Sequence, residues 1–555
     1  MQTPLHDKRH LQAHISGFGT IQGAVDERNP QVARFMNVPF GTVVQRWKPA
    51  AQPEPWSGVR DATKQGPMPP QEIIEGPSPF LLETLETVIG PFEDLYDERD
   101  CLNLNIFMPT NSFSSVTSQE SLDLSLLPVL VWIYGGALRR GGNGIALFDA
   151  TNFVAESIAL GRPIVVVVPN YRVNYLGFLA SKELRSIAAP GESVGNWGLL
   201  DQIMALEWVR NQIHLFSGDK DKVTIAGESS GAVSTNTLMN IERAHGLFQR
   251  AILQSGSMGM ISPSYADQDG QLYINHLFQK FGISDEDPDH VKIEKLRQVP
   301  AKSLAEELKT YEVTFFRPSI DGVLINGDIR HGLSSGYPKL YPKLQWVLAG
   351  SCRDEDTFDR LYGVPSSDTI ASEISVQLIN DGVFRYPLYQ AAQAIFDHND
   401  SLLQSSSDTV RCSLSRFHFD CTFSKISEEN PTFGAHHGSD IMFMFGADLA
   451  LKHMTEQEKQ LSKSMQSTWI EFITAKDPST SHIPKVNRSA LPQDQHSEGE
   501  AILFREDWIV SRTNDVERLS KEKTSFWKKA NEYYALEAAK GRSADVGFNL
   551  FQVLA

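Results

Sequence analysis

The chain has 555 residues, a formal net charge of −17, and 41% hydrophobic and 21% charged residues. These proportions are typical of globular proteins and exclude wholesale disorder, while the negative charge argues against nucleic acid or an anionic membrane surface as a partner. The apolar runs, such as residues 164–168, are far too short to cross a bilayer, so no membrane anchor is predicted.

Two features of the chain point to its compartment. The first ten residues contain no apolar segment of the kind that directs secretion. Four scattered cysteines are too few for a disulfide scaffold and lack the spacing of a zinc site; they are Cys101, Cys352, Cys412 and Cys421. Together these features predict a cytoplasmic protein.

The predicted elements begin with a β-hairpin in residues 14–23, which alternate in polarity and contain turn glycines. Further along, apolar and β-branched segments are typical of strands buried on both faces of a parallel sheet. These predicted strands occupy residues 128–134, 163–168, 222–226 and 345–349. Between the second and third of them, residues 199–216 carry apolar side chains at helical spacing.

This alternation predicts an α/β fold with a large, mostly parallel central sheet and helices on both of its faces. No composition break typical of a linker separates the strands, so a single catalytic domain over residues 1–555 is predicted. The Ser/Thr-rich segments 110–125 and 401–409 are predicted to be surface loops. Residues 66–98, rich in proline and glycine, are a candidate flap over a site.

The pentapeptide Gly-x-Ser-x-Gly occurs three times, around Ser193, Ser229 and Ser334. No strand precedes Ser193, and a Tyr-Pro pair directly after the motif at Ser334 interrupts any helix there. Only Ser229 lies between a β-branched strand and a helical segment, the setting in which a tight turn lifts a nucleophilic serine off a sheet. We therefore predict that Ser229 is a nucleophile and that the other two motifs are ordinary turns.

An acyl-transfer site also needs donors for the oxyanion that forms in the transition state. The segment Tyr134-Gly-Gly-Ala137 follows the first buried strand, where small side chains leave backbone N–H groups accessible. Alone, such a segment is more typical of a glycine-rich loop at the end of a strand. Its combination with Ser229 makes it a candidate oxyanion hole.

A series of motifs along the chain resembles the type-B carboxylesterase/lipase family, whose members have the α/β-hydrolase fold. The matching segments are Glu98-Arg-Asp-Cys-Leu-Asn-Leu-Asn-Ile-Phe107, Asn170-Tyr-Arg172, Gly195-Asn-Trp-Gly-Leu-Leu-Asp-Gln202, Val223-Thr-Ile-Ala-Gly-Glu-Ser-Ser-Gly231, Phe248-Gln-Arg-Ala-Ile-Leu-Gln-Ser-Gly256 and Phe316-Arg-Pro-Ser-Ile-Asp-Gly322. The resemblance covers roughly residues 14–530 and is closest to intracellular, fungal-type members. It implies a serine carboxylic ester hydrolase.

The resemblance also supplies the partners of the serine. The acid of the family is a glutamate in a Gly-x-x-x-Asp-Glu segment, which ends at Glu355 here, and its base is a histidine before a glycine, which is His437. Asp354 and Asp356 flank the glutamate and His436 precedes the histidine, but the family pattern favours Glu355 and His437. The chain order of serine, glutamate and histidine is also that of α/β-hydrolases in general.

In the mechanism that this implies, His437 deprotonates Ser229, while Glu355 orients the histidine and stabilises its charged form. Three backbone N–H groups would bind the oxyanion, those of Gly136, Ala137 and Ser230. No metal or organic cofactor is required, and the expected partner is a small-molecule ester. The oligomeric state stays open.

Several positions depart from the family pattern. Ala137 and Ser230 stand where the family most often has glycine and alanine. Pro69 replaces the cysteine that would pair with Cys101, and the second family disulfide also lacks its cysteines, because none lies between positions 101 and 352. All four cysteines are therefore predicted to be free thiols, in agreement with a reducing compartment.

Substrate class can be inferred from another departure. Cholinesterases of the family hold a quaternary ammonium by cation–π attraction on a tryptophan, in the loop that corresponds to the candidate flap. Residues 57–131 here, which include that flap, contain no tryptophan. Phe92 or Tyr96 would provide a weaker platform. We therefore expect uncharged esters of short to medium acyl chain, without a preference for choline esters.

Two alternatives use the same residues differently. A transacylase or lactone-processing enzyme would employ the same triad, because exclusion of water from the acyl-enzyme decides between transfer and hydrolysis. A non-catalytic interaction protein is disfavoured because Ser229, Glu355 and His437 are all retained.

Overall fold

The computed structural model describes residues 10–72, 95–117, 126–265, 269–310, 315–326, 340–355, 380–404, 411–424, 434–486, 501–505 and 510–513. The strands in these ranges are β1 (His10–Ile15), β2 (Gly19–Val25), β3 (Val32–Pro39), β4 (Val59–Asp61), β5 (Asn103–Pro109), β6 (Leu127–Ile133), β7 (Val165–Pro169), β8 (Gly218–Glu228), β9 (Arg250–Gln254), β10 (Ser264–Tyr265), β11 (Ser319–Ile320), β12 (Trp346–Cys352), β13 (Ser413–Asp420), β14 (Ala501–Arg505) and β15 (Val510–Thr513).

Thirteen of the described strands form one sheet in the order β1-β2-β3-β5-β7-β6-β8-β9-β12-β13-β14-β15, with β4 beside β2. The pairs from β7 to β14 are parallel. Antiparallel pairing occurs at β14–β15 and through the N-terminal strands, where β1 and β2 form the predicted hairpin. The predicted large and mostly parallel sheet is therefore confirmed.

The described helices are α1 (Thr110–Thr117), α2 (Thr151–Ala159), α3 (Asn174–Phe178), α4 (Lys182–Ser186), α5 (Trp197–Gln212), α6 (Ser230–Leu238), α7 (Asp269–Lys280), α8 (Asp289–Arg297), α9 (Ala301–Thr310), α10 (Tyr386–Gln404), α11 (Ser439–Phe445), α12 (Asp448–Leu451) and α13 (Glu456–Thr474). One group, α2, α11 and α13, packs together against β5 and β6, and a second, α5 and α6, packs against β8. All residues of β7 and β9 are buried. Because successive residues of a strand point to opposite faces, both faces of the sheet are covered.

The four strands predicted from apolar runs are β6, β7, β8 and β12, and the predicted helix is α5, followed by a short 3-10 turn at Ile213–Phe216. The prediction of a loop at residues 110–125 is wrong for its first half, which forms α1. The cause is tertiary packing, since Phe113 is buried against Phe35 with ring centroids 5.3 Å apart. The segment 401–409 likewise begins as the last turn of α10.

Candidate active site

Ser229 occupies a strained turn between β8 and α6. Its backbone has φ 54° and ψ −128°, a conformation that non-glycine residues rarely adopt and that costs about 1–3 kcal/mol. The two glycines of the motif are required by close backbone contacts: a Cβ on Gly227 would lie 2.6 Å from the Ile133 carbonyl oxygen, and one on Gly231 would lie 2.8 Å from the Tyr134 carbonyl carbon. Packing of β6 against this turn therefore explains why only glycine fits on either side of the serine.

Glu355 lies three residues after β12, and His437 lies in the part of the chain that follows β13. His437 Nδ1 lies 2.6 Å from Glu355 Oε2, and the other carboxylate oxygen accepts the N–H of Cys352 at 2.7 Å. Since a carboxylate only accepts hydrogen bonds, Nδ1 carries the hydrogen. Both side chains are buried, Glu355 completely. The structure thus brings together the two residues that the family pattern favoured.

The segments that carry these two side chains are joined by two hydrogen bonds between Asp354 and Ala435. The N–H of Asp354 donates to the Ala435 carbonyl at 3.0 Å, and the N–H of Ala435 donates to the Asp354 carboxylate at 2.8 Å. This pairing assigns Asp354 a structural contact beside the site, while Asp356 lies outside the described residues. His436 is buried and its Nδ1 lies 2.9 Å from the His437 carbonyl oxygen.

The other ring nitrogen of His437 faces a residue that the sequence analysis did not include in the site. His437 Nε2 lies 3.1 Å from Oε1 of Glu228, the residue that directly precedes Ser229. The ring of His437 also packs against Phe384, with centroids 4.9 Å apart. Glu228 is the second residue of the Gly-x-Ser-x-Gly motif and the last of the buried strand β8. A charged side chain at the end of a buried strand is the signal that could have identified it.

Protonation in this cluster is set by burial and by three neighbouring carboxylates. Burial raises the pKa of Glu228 to about 8, opposed by His437 and reinforced by Asp440 and Glu355. Burial alone would lower the pKa of His437, but the carboxylates of Glu228 and Glu355 outweigh it and raise that pKa to about 9. Burial likewise raises the pKa of Asp440 to about 6. The cluster therefore holds protons more tightly than isolated groups of the same kinds.

Gln254, at the end of β9, connects the serine turn to the helix that follows His437. Its backbone carbonyl accepts the N–H of Ser229 at 2.9 Å. Its side-chain amide donates to Asp440 Oδ2 at 2.8 Å and accepts the indole N–H of Trp469 at 3.1 Å. One buried glutamine therefore fixes the position of the predicted nucleophile relative to the start of α11.

The predicted oxyanion loop follows β6 and passes beside the serine. A Cβ on Gly135 would lie 2.7 Å from the Glu228 carbonyl oxygen and 3.0 Å from Ser229 Cβ. Three consecutive residues have positive φ angles, 110° at Gly136, 60° at Ala137 and 54° at Leu138. Among the described residues, no acceptor takes the backbone N–H of Gly136, Ala137 or Ser230. These are the three donors that the sequence predicted.

Residues 66–72 of the predicted flap bind this loop from outside. The side-chain amide of Gln71 donates to the Gly141 carbonyl at 2.8 Å and accepts the Gly141 N–H at 2.9 Å. Glu72 Oε1 lies 2.8 Å from Arg139 Nε. Neither contact was predicted from the sequence, although both residues belong to the flap segment.

The two candidate aromatic platforms of the flap differ in what the structure describes. Tyr96 is only 6% exposed and packs with Met68 and Ala305, so its ring is part of a small apolar cluster. Phe92 lies outside the described residues.

Of the two other Gly-x-Ser-x-Gly motifs, the one at Ser193 is described, and its serine contacts Asp321 instead of the residues of this site. The buried Ser193 hydroxyl donates to the carboxylate of Asp321, which also accepts the N–H of Val194 at 3.2 Å. Gly191 has φ 77°, as expected of a turn glycine. Ser334 lies outside the described residues.

Three further features bear on the predicted partners and compartment. In the part of the chain that the structure describes, no cluster of three or more His, Cys, Asp or Glu side chains is arranged to hold a metal ion. No described helix is both long and apolar enough to cross a membrane. The four cysteines are all described, and each is a buried thiol without a disulfide partner.

Comparison with known proteins places the chain among esterases. The model of the carboxylesterase family matches residues 8–373 and 362–527. Para-nitrobenzyl esterase of Bacillus subtilis strain 168 is 28% identical over 494 residues, which are 83% of this chain and 90% of that protein. Carboxylesterase 4A of Bos taurus is also 28% identical, over 95% of this chain and 96% of that protein.

Comparison with solved structures also leads to esterases. The solved structure of a thermophilic PNB esterase is 25% identical and superimposes with a TM-score of 0.71, covering 93% of this chain and 100% of the other. Its α/β-hydrolase fold matches the mostly parallel sheet described above. The chain belongs to the carboxylesterase family and is a carboxylic ester hydrolase.

Proposed function

We propose that the protein hydrolyses esters through a triad of Ser229, His437 and Glu355 and an acyl-enzyme intermediate. The observation that carries this proposal is the 2.6 Å contact of His437 Nδ1 with the buried Glu355 carboxylate. The contact leaves Nε2 directed toward the turn that presents Ser229, where it meets the preceding residue, Glu228, at 3.1 Å. These contacts support the proposal, because acyl transfer needs a base that an acid orients toward the nucleophile.

The first step needs an uncharged imidazole. Once its Nε2 proton is lost to solvent, His437 turns from Glu228 to the hydroxyl of Ser229 and accepts its proton. Ser229 Oγ then bonds to the ester carbonyl carbon, and the π electrons of the C=O bond move to its oxygen. The Glu355 carboxylate stabilises the imidazolium that forms and keeps Nδ1 protonated throughout. His437 then gives its proton to the leaving alcohol, and water attacks the acyl-enzyme with the same histidine as base.

Charge on the carbonyl oxygen develops beside the loop that follows β6. The N–H groups of Gly136, Ala137 and Ser230 would bind this oxyanion, because none of them is used by another described residue. Each such donor contributes about 3–4 kcal/mol to transition-state stabilisation in serine hydrolases. The chemistry requires no metal or organic cofactor.

For substrates, we propose uncharged esters with short to medium acyl chains. The burial of Tyr96 supports this choice, because a ring packed against Met68 and Ala305 offers little face to a quaternary ammonium. Residues 57–131 also contain no tryptophan. A cation would therefore gain little over a neutral group of the same shape.

We further propose that residues 1–555 act as one catalytic domain in the cytoplasm. One sheet carries the strands that lead to Ser229, Glu355 and His437, which supports a single unit. Four buried thiols without disulfide partners support a reducing compartment.

The deciding experiment compares Ser229→Ala with Ser193→Ala, using p-nitrophenyl butyrate as substrate. We expect Ser229→Ala to lose nearly all hydrolysis with an unchanged circular dichroism spectrum, because of these two serines only Ser229 lies in the turn that Nε2 of His437 faces. Ser193→Ala is the matched control, since it removes a buried serine hydroxyl from another Gly-x-Ser-x-Gly motif. Retention of activity by Ser229→Ala, or its loss in a folded Ser193→Ala, would show that the nucleophile is assigned wrongly.

A further inference from the structure

The side chain of Ser230 makes a contact that is separate from the proposed role of its backbone N–H in the oxyanion hole. The Ser230 hydroxyl oxygen accepts the backbone N–H of Leu138 at 3.1 Å. Both residues are fully buried. The hydrogen bond joins the first residue of α6 to the loop after β6, two segments that are far apart in the chain.

This hydrogen bond acts on one particular peptide unit, the one between Ala137 and Leu138. The carbonyl of Ala137 accepts the N–H of Phe316 at 3.0 Å, while the N–H at the other end of the same unit donates to Ser230. Because a peptide unit is planar, holding both ends fixes the plane. The Ala137 N–H lies in the preceding peptide unit, whose carbonyl, that of Gly136, accepts the N–H groups of Arg139 and Arg140 at 3.0 and 3.1 Å. A fixed plane on the other side of Ala137 limits the rotation of this unit about the Ala137 backbone bonds, and so restrains the direction of the Ala137 N–H.

The loop needs such restraint because its conformation is intrinsically unfavourable. Ala137 and Leu138 have φ angles of 60° and 54°, in the left-handed region that residues with a Cβ rarely occupy. The Leu138 carbonyl is held by the Asn174 N–H at 2.7 Å. Without the Ser230 hydroxyl, the buried N–H of Leu138 would lose its acceptor, and rotation of the peptide unit would be the means of finding another.

We propose that the Ser230 hydroxyl is a positioning group of the oxyanion hole, which aims the Ala137 N–H by holding the next peptide unit in place. Ser230 then contributes twice: its own N–H donates to the oxyanion, and its side chain orients a second donor. The inference rests on the proposed function, since it presumes that an oxyanion forms between Ser229 and this loop.

The test compares Ser230→Ala with Ser234→Ala. Ser234 lies one turn further along α6, is buried, and its hydroxyl accepts the side-chain amide of Gln202 at 3.2 Å. It therefore matches Ser230 in helix and burial, but its hydrogen bond is to Gln202 and not to the loop. Both variants are measured for kcat and KM on p-nitrophenyl butyrate and for unfolding temperature.

We expect Ser230→Ala to lower kcat by roughly tenfold, less than the loss of a whole donor, with KM changed less than about twofold. Inhibition by a trifluoromethyl ketone, whose adduct with the serine carries an oxyanion, should weaken by a similar factor. Ser234→Ala should keep kcat even if its unfolding temperature falls. Ser230→Cys, which retains a weak acceptor of similar size, should fall between wild type and Ser230→Ala.

The proposal is overturned if Ser230→Ala keeps its kcat, if its loss is confined to KM, or if Ser234→Ala loses kcat equally. Should Ser230→Ala not fold, Ser230→Cys decides alone, and an unchanged kcat there would overturn the proposal. Failure of the proposed function is seen separately, because active Ser229→Ala would refute the triad whatever Ser230 does.

Discussion

Replacing Glu228 by glutamine should move the acidic limb of the pH–rate profile to lower pH. His437 acts as a base only when its Nε2 is unprotonated, so the limb follows the pKa of His437. The carboxylates of Glu228 and Glu355, against the effect of burial, raise that pKa to about 9. Wild-type kcat/KM should therefore still be rising between neutral pH and about pH 9. Glu228→Gln removes one of the charges that stabilise the imidazolium, so the pKa must fall.

The size of the change follows from the 3.1 Å distance between His437 Nε2 and Glu228 Oε1. An effective dielectric constant of about 20 gives an attraction of roughly 5 kcal/mol for two full charges at this separation. This is an upper bound, because Glu228 has a pKa of about 8 and is itself partly protonated where the histidine titrates. Opposite charges at such distances shift pKa values by about 1–3 units. We expect the limb to move by that amount.

The assay is kcat/KM for p-nitrophenyl butyrate from pH 5 to pH 10, with spontaneous hydrolysis subtracted. Asp440→Asn provides a graded comparison, because Asp440 contributes less to the pKa of His437 than Glu228 does and should shift the limb less in the same direction. A limb that stays in place in Glu228→Gln, or moves to higher pH, would refute the reasoning. It would mean that Nε2 does not interact with the Glu228 carboxylate in the working enzyme.

Three further predictions concern thiols, substrate and stability. Titration of the denatured, unreduced protein should count four thiols, and two or fewer would contradict the absence of disulfides. Butyrylcholine should have no advantage in kcat/KM over 3,3-dimethylbutyl butyrate at physiological salt; a ratio well above one would point to Phe92, Tyr96 or Glu228 as a cation site. Asp201→Asn, which breaks the fully buried pair with Arg172 at 2.7 Å, should lower the free energy of unfolding in urea by about 3–5 kcal/mol. Glu207→Gln, which breaks the exposed pair with Arg243 at 3.3 Å, should change the free energy of unfolding by less than about 1 kcal/mol. Equal effects of the two substitutions would contradict the argument.

The parts of the site that the sequence predicts are those encoded by short segments. The three motifs share glycines two residues before and after the serine, so the strand before Ser229 and the helical segment after it were what selected this motif. Glu355 and His437 came from the family resemblance. Strand–helix alternation likewise predicted the sheet, because buried parallel strands have an apolar pattern that can be read locally.

The parts that the sequence did not predict depend on contacts between distant segments. The contact of Glu228 with His437 depends on the parallel arrangement of β8 and β13, which brings the end of β8 and the residues that follow β13 to the same edge of the sheet. The wrong loop prediction at residues 110–125 has a similar cause, since α1 is held by the contact of Phe113 with Phe35. Local propensity carries no information about either partner.

Strain and buried charge in this site are maintained by the same few hydrogen bonds. A serine at φ 54° is maintained only where several contacts hold it in place. Here the Gln254 carbonyl holds the turn on one side, and the close contacts of Gly227 and Gly231 with β6 hold it on the other. Gln254 also binds Asp440, one of the three carboxylates that raise the pKa of His437. The geometry of the nucleophile and the basicity of the histidine are therefore coupled through one residue. Substitutions at Gln254 should therefore alter both the position of Ser229 and the pKa of His437. Substitutions at Glu228 should mainly alter the pKa of His437.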